Sequence, residues 1–392
     1  MQRLAVIGGG VSGVCLAHLV QEQYDITLFE AQDYLGGNNC SIEVEGGSRV
    51  PMGVIIYPAR ELFEHTQAFA DKFGLQRKPA HLAHIFCSND EVRYRSYSGS
   101  GHFLRDIKDV AYLNYGFKAE TESHDRKLGD LVAGNKLSKE FVDYVLAPFA
   151  ALYLSVPYAA IFELPLSTVA GWWNKYCHPF HLMSSFNYID GGNHQLIDRF
   201  AENTRMKIRL NTAVSKVSRS DGQVLLQLDN DEERFDKLVF ATRPDEALAM
   251  LDSPTATENQ LLGNIETNTL TSTLHRQPYG CLDGDITLNM YGDDRASTHM
   301  VTTWGNRKCF GMDLPEEIYT SLHQVDKEPV DDSDILAQRT FKVPVQMAST
   351  WRVSDRLDEL NSDSDAIYYC GSYFCPSYYH EDGIDSAMSL AG

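Results

Sequence analysis

The amino-acid sequence predicts an α/β protein built on a Rossmann-type parallel sheet, with a second, α+β unit inserted between the pieces of that sheet. Three observations predict it. The apolar run Leu4 to Ile7 leads into Gly8, Gly10 and Gly13, a G-x-G-x-x-G pattern, and Val14 to Val20 continues with helical apolar spacing. A further apolar run, Ile26 to Phe29, ends in Glu30, about 20 residues after Gly8. After a long, aromatic-rich helical middle, short strand-like runs return and recur to the end of the chain.

Each residue type in the first forty positions has a mechanical job. Gly8 permits the tight strand-to-helix turn, Gly10 lets a pyrophosphate approach the backbone, and Gly13 lets the helix pack closely on the sheet. The helix N-terminus offers free N–H groups and a partial positive charge to phosphates. Glu30 sits where a carboxylate accepts hydrogen bonds from an adenosine ribose. Glycine turns are common, so the pattern alone says little. Strand, glycines, helix, strand and acid in that order point to a dinucleotide. Leu35-Gly36-Gly37 adds a diglycine that brings more N–H groups towards the pyrophosphate. This extension resembles glutathione-reductase-type and amine-oxidase-type flavoproteins, and the resemblance implies FAD as the resident cofactor. The usual form places Arg after the glycines; here Asn38 and Asn39 follow, and Ser41 remains as a hydroxyl donor.

Composition narrows the function classes. At 392 residues the chain is long enough for two domains or one two-lobed unit. Lys and Arg number 34 against 54 Asp and Glu, a formal net charge of −20 that repels phosphate backbones and anionic membranes and argues against nucleic-acid binding. No apolar run is long enough for a transmembrane helix. Arg3 before an apolar stretch imitates a signal peptide, but the glycines inside that stretch fit the nucleotide fold better. Eight scattered cysteines form no C-x-x-C pair, which suits free thiols in a reducing compartment and predicts neither a disulfide frame nor a metal site. The expected location is the cytoplasm.

Along the chain, residues 46–58 read as a turn and a strand leaving the nucleotide core, and residues 59–73 as a helix ending at Gly74. Lys127 to Leu154 reads as helical, with Pro148 expected to kink or interrupt it. Leu166 to Tyr176 is again helical. At Tyr188 a glycine turn opens an amphipathic helix with Leu196, Ile197 and Phe200 on one face. Two strands joined by a hairpin at Asp221-Gly222 follow, then a short buried strand, Leu238 to Ala241. Segments around Leu270, Ile286 and Met300 read as the sheet of a substrate-side domain. The chain closes with a strand ending at Gly371 and a helix opened by HEDG, with Asp382 as its expected N-cap and Asp385 in its first turn.

Taken together, GGGVSG with Glu30 and Gly36-Gly37, then NYIDGGNHQLIDRF, LVFATRPDEAL and GSYFCPSYYHEDGIDSA resemble, in that order, the predicted NAD/FAD-binding proteins of the flavin-containing amine oxidase superfamily. That superfamily includes amine oxidases, carotenoid-type desaturases and protoporphyrinogen oxidase. The resemblance implies a discontinuous, glutathione-reductase-like FAD-binding domain at 1–58, 186–252 and 344–392, and a substrate domain at 59–185 and 253–343. Carried over residue by residue, Gly8, Gly10, Ser12 and Gly13 hold the pyrophosphate, with Gly36, Gly37 and Asn38 alongside, and Glu30 holds the ribose. Val214 meets the adenine edge, Ala241 and Thr242 line the dinucleotide, and Gly371 and Ser372 approach the ribityl phosphate, Ser372 standing where relatives carry an acid. Asp382, Gly383 and Ile384 open the last helix, whose N-terminus faces the flavin.

The resemblance implies a non-covalent FAD that carries the redox chemistry while the protein positions a small-molecule substrate against flavin N5. His380 is the catalytic candidate, as an imidazole titrating near neutrality beside the flavin; on the other reading His380 and Glu381 only orient the turn. His275, Trp304 and Trp351 are further candidates for the substrate cavity. Amine oxidases place a Lys in the substrate sheet; residues 268–275 hold none, which leaves Lys308 as a substitute. The expected function is an FAD-dependent oxidoreductase that takes a hydride from a C–N or C–C bond of a small-to-medium, partly apolar substrate. A non-redox mutase- or isomerase-like flavoenzyme and a non-catalytic FAD-binding protein are the alternatives. Oxygen, a nicotinamide or a carrier protein would serve as electron acceptor.

Overall fold

The computed structural model describes residues 1–53, 56–58, 61–80, 84–95, 107–122, 124–176, 186–229, 231–280, 286–323, 330–345, 347–362, 366–375 and 378–392. The N-terminal run forms β1 (Gln2–Ile7), α1 (Val11–Val20) and β2 (Tyr24–Phe29). The other elements that position the site are α2 (Glu64–Lys72), β3 (Met206–Arg209), β4 (Lys237–Phe240), β5 (Ile335–Val345), β6 (Ile367–Tyr369) and α3 (His380–Ala391).

β3, β2, β1, β4 and β6 lie side by side as one parallel sheet. β1 is apolar along its buried length because both faces of the sheet are covered. Leu4 and Val6 pack with α1, α3 and the helix His194–Glu202. Ala5 and Ile7 pack on the other side against a three-stranded antiparallel sheet over residues 216–235. The Asp221-Gly222 hairpin of that small sheet has φ of 53° and 76°, as a two-residue turn between twisted strands requires.

Register places the site. Ile7 stands opposite Phe29 and Phe240, Phe240 opposite Tyr369, and Phe29 opposite Arg209. The residues that leave these strands therefore gather at one carboxyl edge, which is where ligands bind in open parallel sheets. Gly8 N–H donates to the Phe29 carbonyl at 2.9 Å, Ala241 N–H to Ile7 at 2.8 Å, and Cys370 N–H to Phe240 at 2.9 Å.

The second sheet has seven strands, in the order β5, Glu266–His275, Tyr319–His323, His299–Gly305, Ile286–Tyr291, His84–Ser88 and Glu91–Arg95. The last two come from the first quarter of the chain, and His84–Ser88 joins in parallel to Ile286–Tyr291. Leu288, Trp304 and Phe86 on this sheet pack against the helices of the middle block. That block is more broken than its apolar pattern suggests. It comprises Leu128–Ala133, Lys139–Phe141, a π-helical turn at Val142–Leu146, and Ala147–Tyr153. Pro148 lies in the first turn of Ala147–Tyr153, directly after the π-helical turn, where its missing N–H costs least.

The C-terminal HEDG differs from the expectation in register. α3 starts at His380, its N-cap is Tyr379, and Asp382 lies in the first turn, where its carboxylate accepts the Tyr379 N–H at 2.6 Å. The sequence spacing could not show this, since an acid satisfies a helix N-terminus either as the cap or three residues inside it. Glu381 turns away and accepts the backbone N–H groups of His65 (2.6 Å) and Thr66 (2.9 Å), which caps the start of α2. Gly383 is where α3 meets α1; a Cβ there would stand 2.8 Å from Ser12 Oγ. No helix among the described residues is long and apolar enough to cross a membrane.

Backbone packs very closely within the glycine loop, where a Cβ on Gly13 would lie 2.0 Å from the Gly8 carbonyl oxygen. Backbone meets backbone there, so no rotamer change gives relief. Gly13→Ala is expected to destabilise the protein by about 1–3 kcal/mol. Thermal denaturation of the flavin-free protein measures this, and an unchanged Tm would show that the loop opens without cost.

Candidate cofactor site and substrate chamber

At the carboxyl edge of the parallel sheet lies a cavity of about 730 Å³, within the range of ligand-binding clefts. Glu30, Gln32 and Val214 line one end. Gly8, Gly10, Ser12, Gly36, Gly37 and Asn38 line the middle, with Ala241 and Thr242 beside them. Gly371, Ser372, Tyr378, Tyr379, His380 and Gly383 line the other end. The facing wall is β5, through Gln338, Arg339, Thr340, Phe341 and Lys342.

The glycines act as cradle and spacer. Nothing lies within 4 Å of where a Gly10 Cβ would be, so that backbone faces open space in the cavity. Gly8 has φ of +106°, and a Cβ on it would meet the Ala241 carbonyl at 2.7 Å. The diglycine packs onto this loop, with Gly36 N–H donating to the Gly9 carbonyl at 2.8 Å. α1 begins with Gly10 as N-cap and carries no acid in its first turn, so its free N–H groups and positive dipole end are unopposed within the helix. Glu30 Oε2 accepts the Gly9 N–H at 2.7 Å and Oε1 the Gln32 N–H at 2.8 Å. Each oxygen keeps a lone pair for a further donor, which suits a pair of ribose hydroxyls. Thr242, Tyr373 and Arg339 line the cavity, and each carries a buried polar atom without a hydrogen-bond partner in the structure. The open glycine-loop backbone, the free N–H groups of α1 and the remaining lone pairs of Glu30 match a polar, anionic guest, and the residues present therefore fit a dinucleotide.

Of the residues expected at the cofactor, Gly13, Asp382 and Ile384 stand behind the cavity wall. Gly13 packs on Gly8, Asp382 caps its own helix, and Ile384 is fully buried in the apolar core. Asn39 lines the cavity, but its side-chain amide is taken up by the Asn193 carbonyl, to which it donates at 3.2 Å. Ser41 does not line the cavity; its hydroxyl lies 2.7 Å from Nδ1 of His194, an imidazole that burial pushes down to about 4. Lys308 is exposed on the short helix Asn306–Phe310, away from both cavities, and its N–H donates to Glu317. Lys342 lines the cavity instead. His275 is fully buried between Ser321 Oγ (2.8 Å) and the Gln277 carbonyl (2.6 Å), and Trp304 Nε1 donates to Asn306. The Trp351 side chain lies outside the described residues.

His380 does line the cavity, at the first turn of α3. Its protonation differs from the expectation. Burial pushes the imidazole down to about 4, so it is neutral at physiological pH. Asp382 next to it is pushed up to about 6 by burial, against the pull of the Tyr379 N–H.

Tyr378, Tyr379 and Pro344 also border a second, smaller chamber of about 50 Å³, completed by residues that include Tyr153, Leu154, Leu164, Thr168 and Val343. None of its described lining residues is charged. The Tyr379 hydroxyl donates to the Tyr153 carbonyl at 3.0 Å, and the Tyr153 ring stacks on Phe186 and Trp172. Sequence reasoning placed neither this chamber nor the β5 wall. Tyr378-Tyr379 directly before HEDG was the one available signal, because rings at a helix N-terminus lie where the polar and apolar cavities meet.

Known proteins agree with this architecture. A carotenoid 3,4-desaturase from Haloarcula japonica is 32% identical over 95 residues, a match that takes in 23% of this chain and only 19% of the desaturase. Among solved structures, a CLA-producing fatty acid isomerase from P. acnes superimposes with a TM-score of 0.70 at 15% identity, over 99% of this chain and 97% of that one. Cyclohexylamine oxidase from Brevibacterium oxydans IH-35A gives 0.69 at 15% identity, over 100% and 98%. At such identities the structures speak to the fold. The sequence itself matches the model of the flavin containing amine oxidoreductases over residues 11–340. With the glycine cradle and Glu30 at one end of the cavity and the α3 turn at the other, this flavin-dependent oxidoreductase belongs to the flavin containing amine oxidoreductase family.

Proposed function

We propose that the flavin is FAD, held without a covalent bond, and that the enzyme takes a hydride from a C–N or C–C bond of a small-to-medium, partly apolar substrate. One observation carries this reading: the long polar cavity and the uncharged aromatic chamber share Tyr378 and Tyr379 as a common wall. A bound flavin supplies a hydride acceptor at N5. The protein's part is to hold, orient and exclude water. The glycine loop and α1 N-terminus hold the pyrophosphate, and Glu30 holds the ribose. The α3 N-terminus, with His380 and Gly383, sets a partial positive charge at the isoalloxazine end. Tyr153, Tyr378 and Tyr379 shape the chamber, and Tyr379 is held in place through its bond to Tyr153. With no charged side chain among the described lining residues, the substrate enters neutral; an amine would enter as its free base. The residues 1–58, 186–252 and 344–392 are proposed as the FAD-binding unit and 59–185 with 253–343 as the substrate unit, Gln338 to Lys342 reaching across from the latter.

The uncharged chamber also favours a second reading, in which the hydride is returned to the same substrate and a C–C double bond is moved, as the name of the isomerase of like fold suggests. Anaerobic mixing separates the two. Net oxidation bleaches the flavin absorbance in proportion to product, whereas isomerisation yields product with the flavin oxidised at the end. The purified protein is expected to be yellow and to release intact FAD on denaturation. A colourless protein that takes up no FAD would overturn both readings.

Filling the chamber tests its role. Val343→Phe is expected to lower kcat/KM by about tenfold or more while the flavin content stays at the wild-type level. Equal turnover in the variant would place the substrate elsewhere.

His380 gives a pH test with a definite sign. Unfolded, an imidazole binds its proton near 6.5; folded, His380 does so only near 4. Between those values the unfolded chain binds the extra proton, so this residue costs stability as the pH falls from about 6.5 towards 4. Asp382 acts oppositely below about 6, because the folded chain then binds the proton first. His380→Gln is therefore expected to lose less Tm than wild type between pH 7.5 and pH 5, and to leave the shape of the kcat/KM profile unchanged across pH 6.5. A profile limb near 6.5 that disappears in the variant would show that His380 titrates during turnover.

A further inference from the structure

We propose that Arg339 supplies, from β5, the cation for the cofactor's pyrophosphate that the positions after the diglycine do not supply; the proposal rests on the reading of the large cavity as an FAD site. Asn38 and Asn39 are uncharged, so the two negative charges of a pyrophosphate at the glycine loop meet only uncharged donors and the α1 dipole on that side. Three cationic side chains line the cavity: Arg243, Lys342 and Arg339. Arg243 is engaged by Asp245 at 3.2 Å and Glu246 at 2.6 Å, and Lys342 lies 3.7 Å from Asp245. Arg339 forms no ion pair among the described residues. Its Nε is buried without a partner, and its guanidinium makes one long contact, 3.4 Å from NH1 to the Gln338 carbonyl.

Its position fits the task. The guanidinium carbon lies 5.7 Å from the centroid of the Tyr34 ring, and Tyr34 immediately precedes Leu35-Gly36-Gly37. Burial pushes the Tyr34 hydroxyl up to about 12 and raises the Cys40 thiol, and the nearby Arg339 charge pulls against both rises. Glu30, at the ribose end, also acts on Tyr34. Arg339 thus lines the same cavity as Glu30 and the diglycine and lies beside Tyr34, which sits between them in sequence. A half-buried guanidinium with an unmet Nε is costly to keep unless an anion comes to it, and its fork of donors matches phosphate oxygens. Because β5 belongs to the seven-stranded sheet, a cation there also ties that sheet to the nucleotide fold whenever the dinucleotide is bound.

Wild type and Arg339→Met, freed of flavin, are titrated with FAD, ADP and adenosine by calorimetry at several salt concentrations. Arg339→Met is expected to weaken FAD and ADP by about tenfold or more, with a shallower salt dependence, and to leave adenosine within about twofold. The flavin-free variant is expected to melt no lower than flavin-free wild type, since the unmet guanidinium is gone. Asn38→Arg added to Arg339→Met restores the cation at the diglycine and is expected to recover at least half of the logarithmic loss. Unchanged FAD and ADP affinity overturns the proposal. So does an equal loss for FAD, ADP and adenosine with a lower Tm, which would make Arg339 a structural clamp on Tyr34, and so does a failure of Asn38→Arg to recover affinity. Arg339→Gln carries the same readouts if the Met variant does not fold. Failure of wild type itself to bind FAD would instead overturn the reading on which the proposal rests.

Discussion

The close approach of backbone to backbone at the glycine loop is the constraint on which the rest of the structure depends. Gly13 lies so near the Gly8 carbonyl that a single Cβ would collide with it, and Gly8 in turn lies against the Ala241 carbonyl. Only this closeness lets α1 start directly at the carboxyl edge of the sheet and aim its N-terminus along the cavity floor. The parallel register does the remaining work, since it brings Gly8, Glu30, Ala241 and Gly371 to one line although they are spread over the whole chain.

The HEDG turn closes that arrangement from the other end. His380 faces the cavity, Glu381 caps α2, Asp382 caps α3, and Gly383 admits α1. Four consecutive residues thus tie the last helix to the first helix, to α2 and to the site. The site they build is low in charge where chemistry would occur. Burial holds His380 neutral and none of the chamber's described lining residues is charged, whereas the large cavity carries Glu30 and Arg339.

Most of the cofactor half was legible in the sequence because its constraints are local. Gly8, Gly10 and Glu30 are separated from the strands they follow by no more than a turn, and period and composition report such neighbours directly. Ser41, Lys308 and the β5 wall were not legible. Whether Ser41 reaches a phosphate depends on His194, more than 150 residues away, which holds its hydroxyl elsewhere. Lys308 was the only lysine near a tryptophan strand, yet a helical turn carries it to the surface. No local pattern singles out Arg339, and only the packing of β5 over Tyr34 gives it a place in the cavity.

The sequence by itself determined the nucleotide fold, its order of strands and helices, and the glycines and acid that line the large cavity, because turn geometry, glycine spacing and apolar runs act between near neighbours. Tertiary structure alone decided the protonation of His380, the uncharged chamber behind Tyr378 and Tyr379, and the entry of His84–Ser88 into the second sheet. Burial, cavity shape and strand pairing sum contributions from distant segments, and no local pattern encodes those sums.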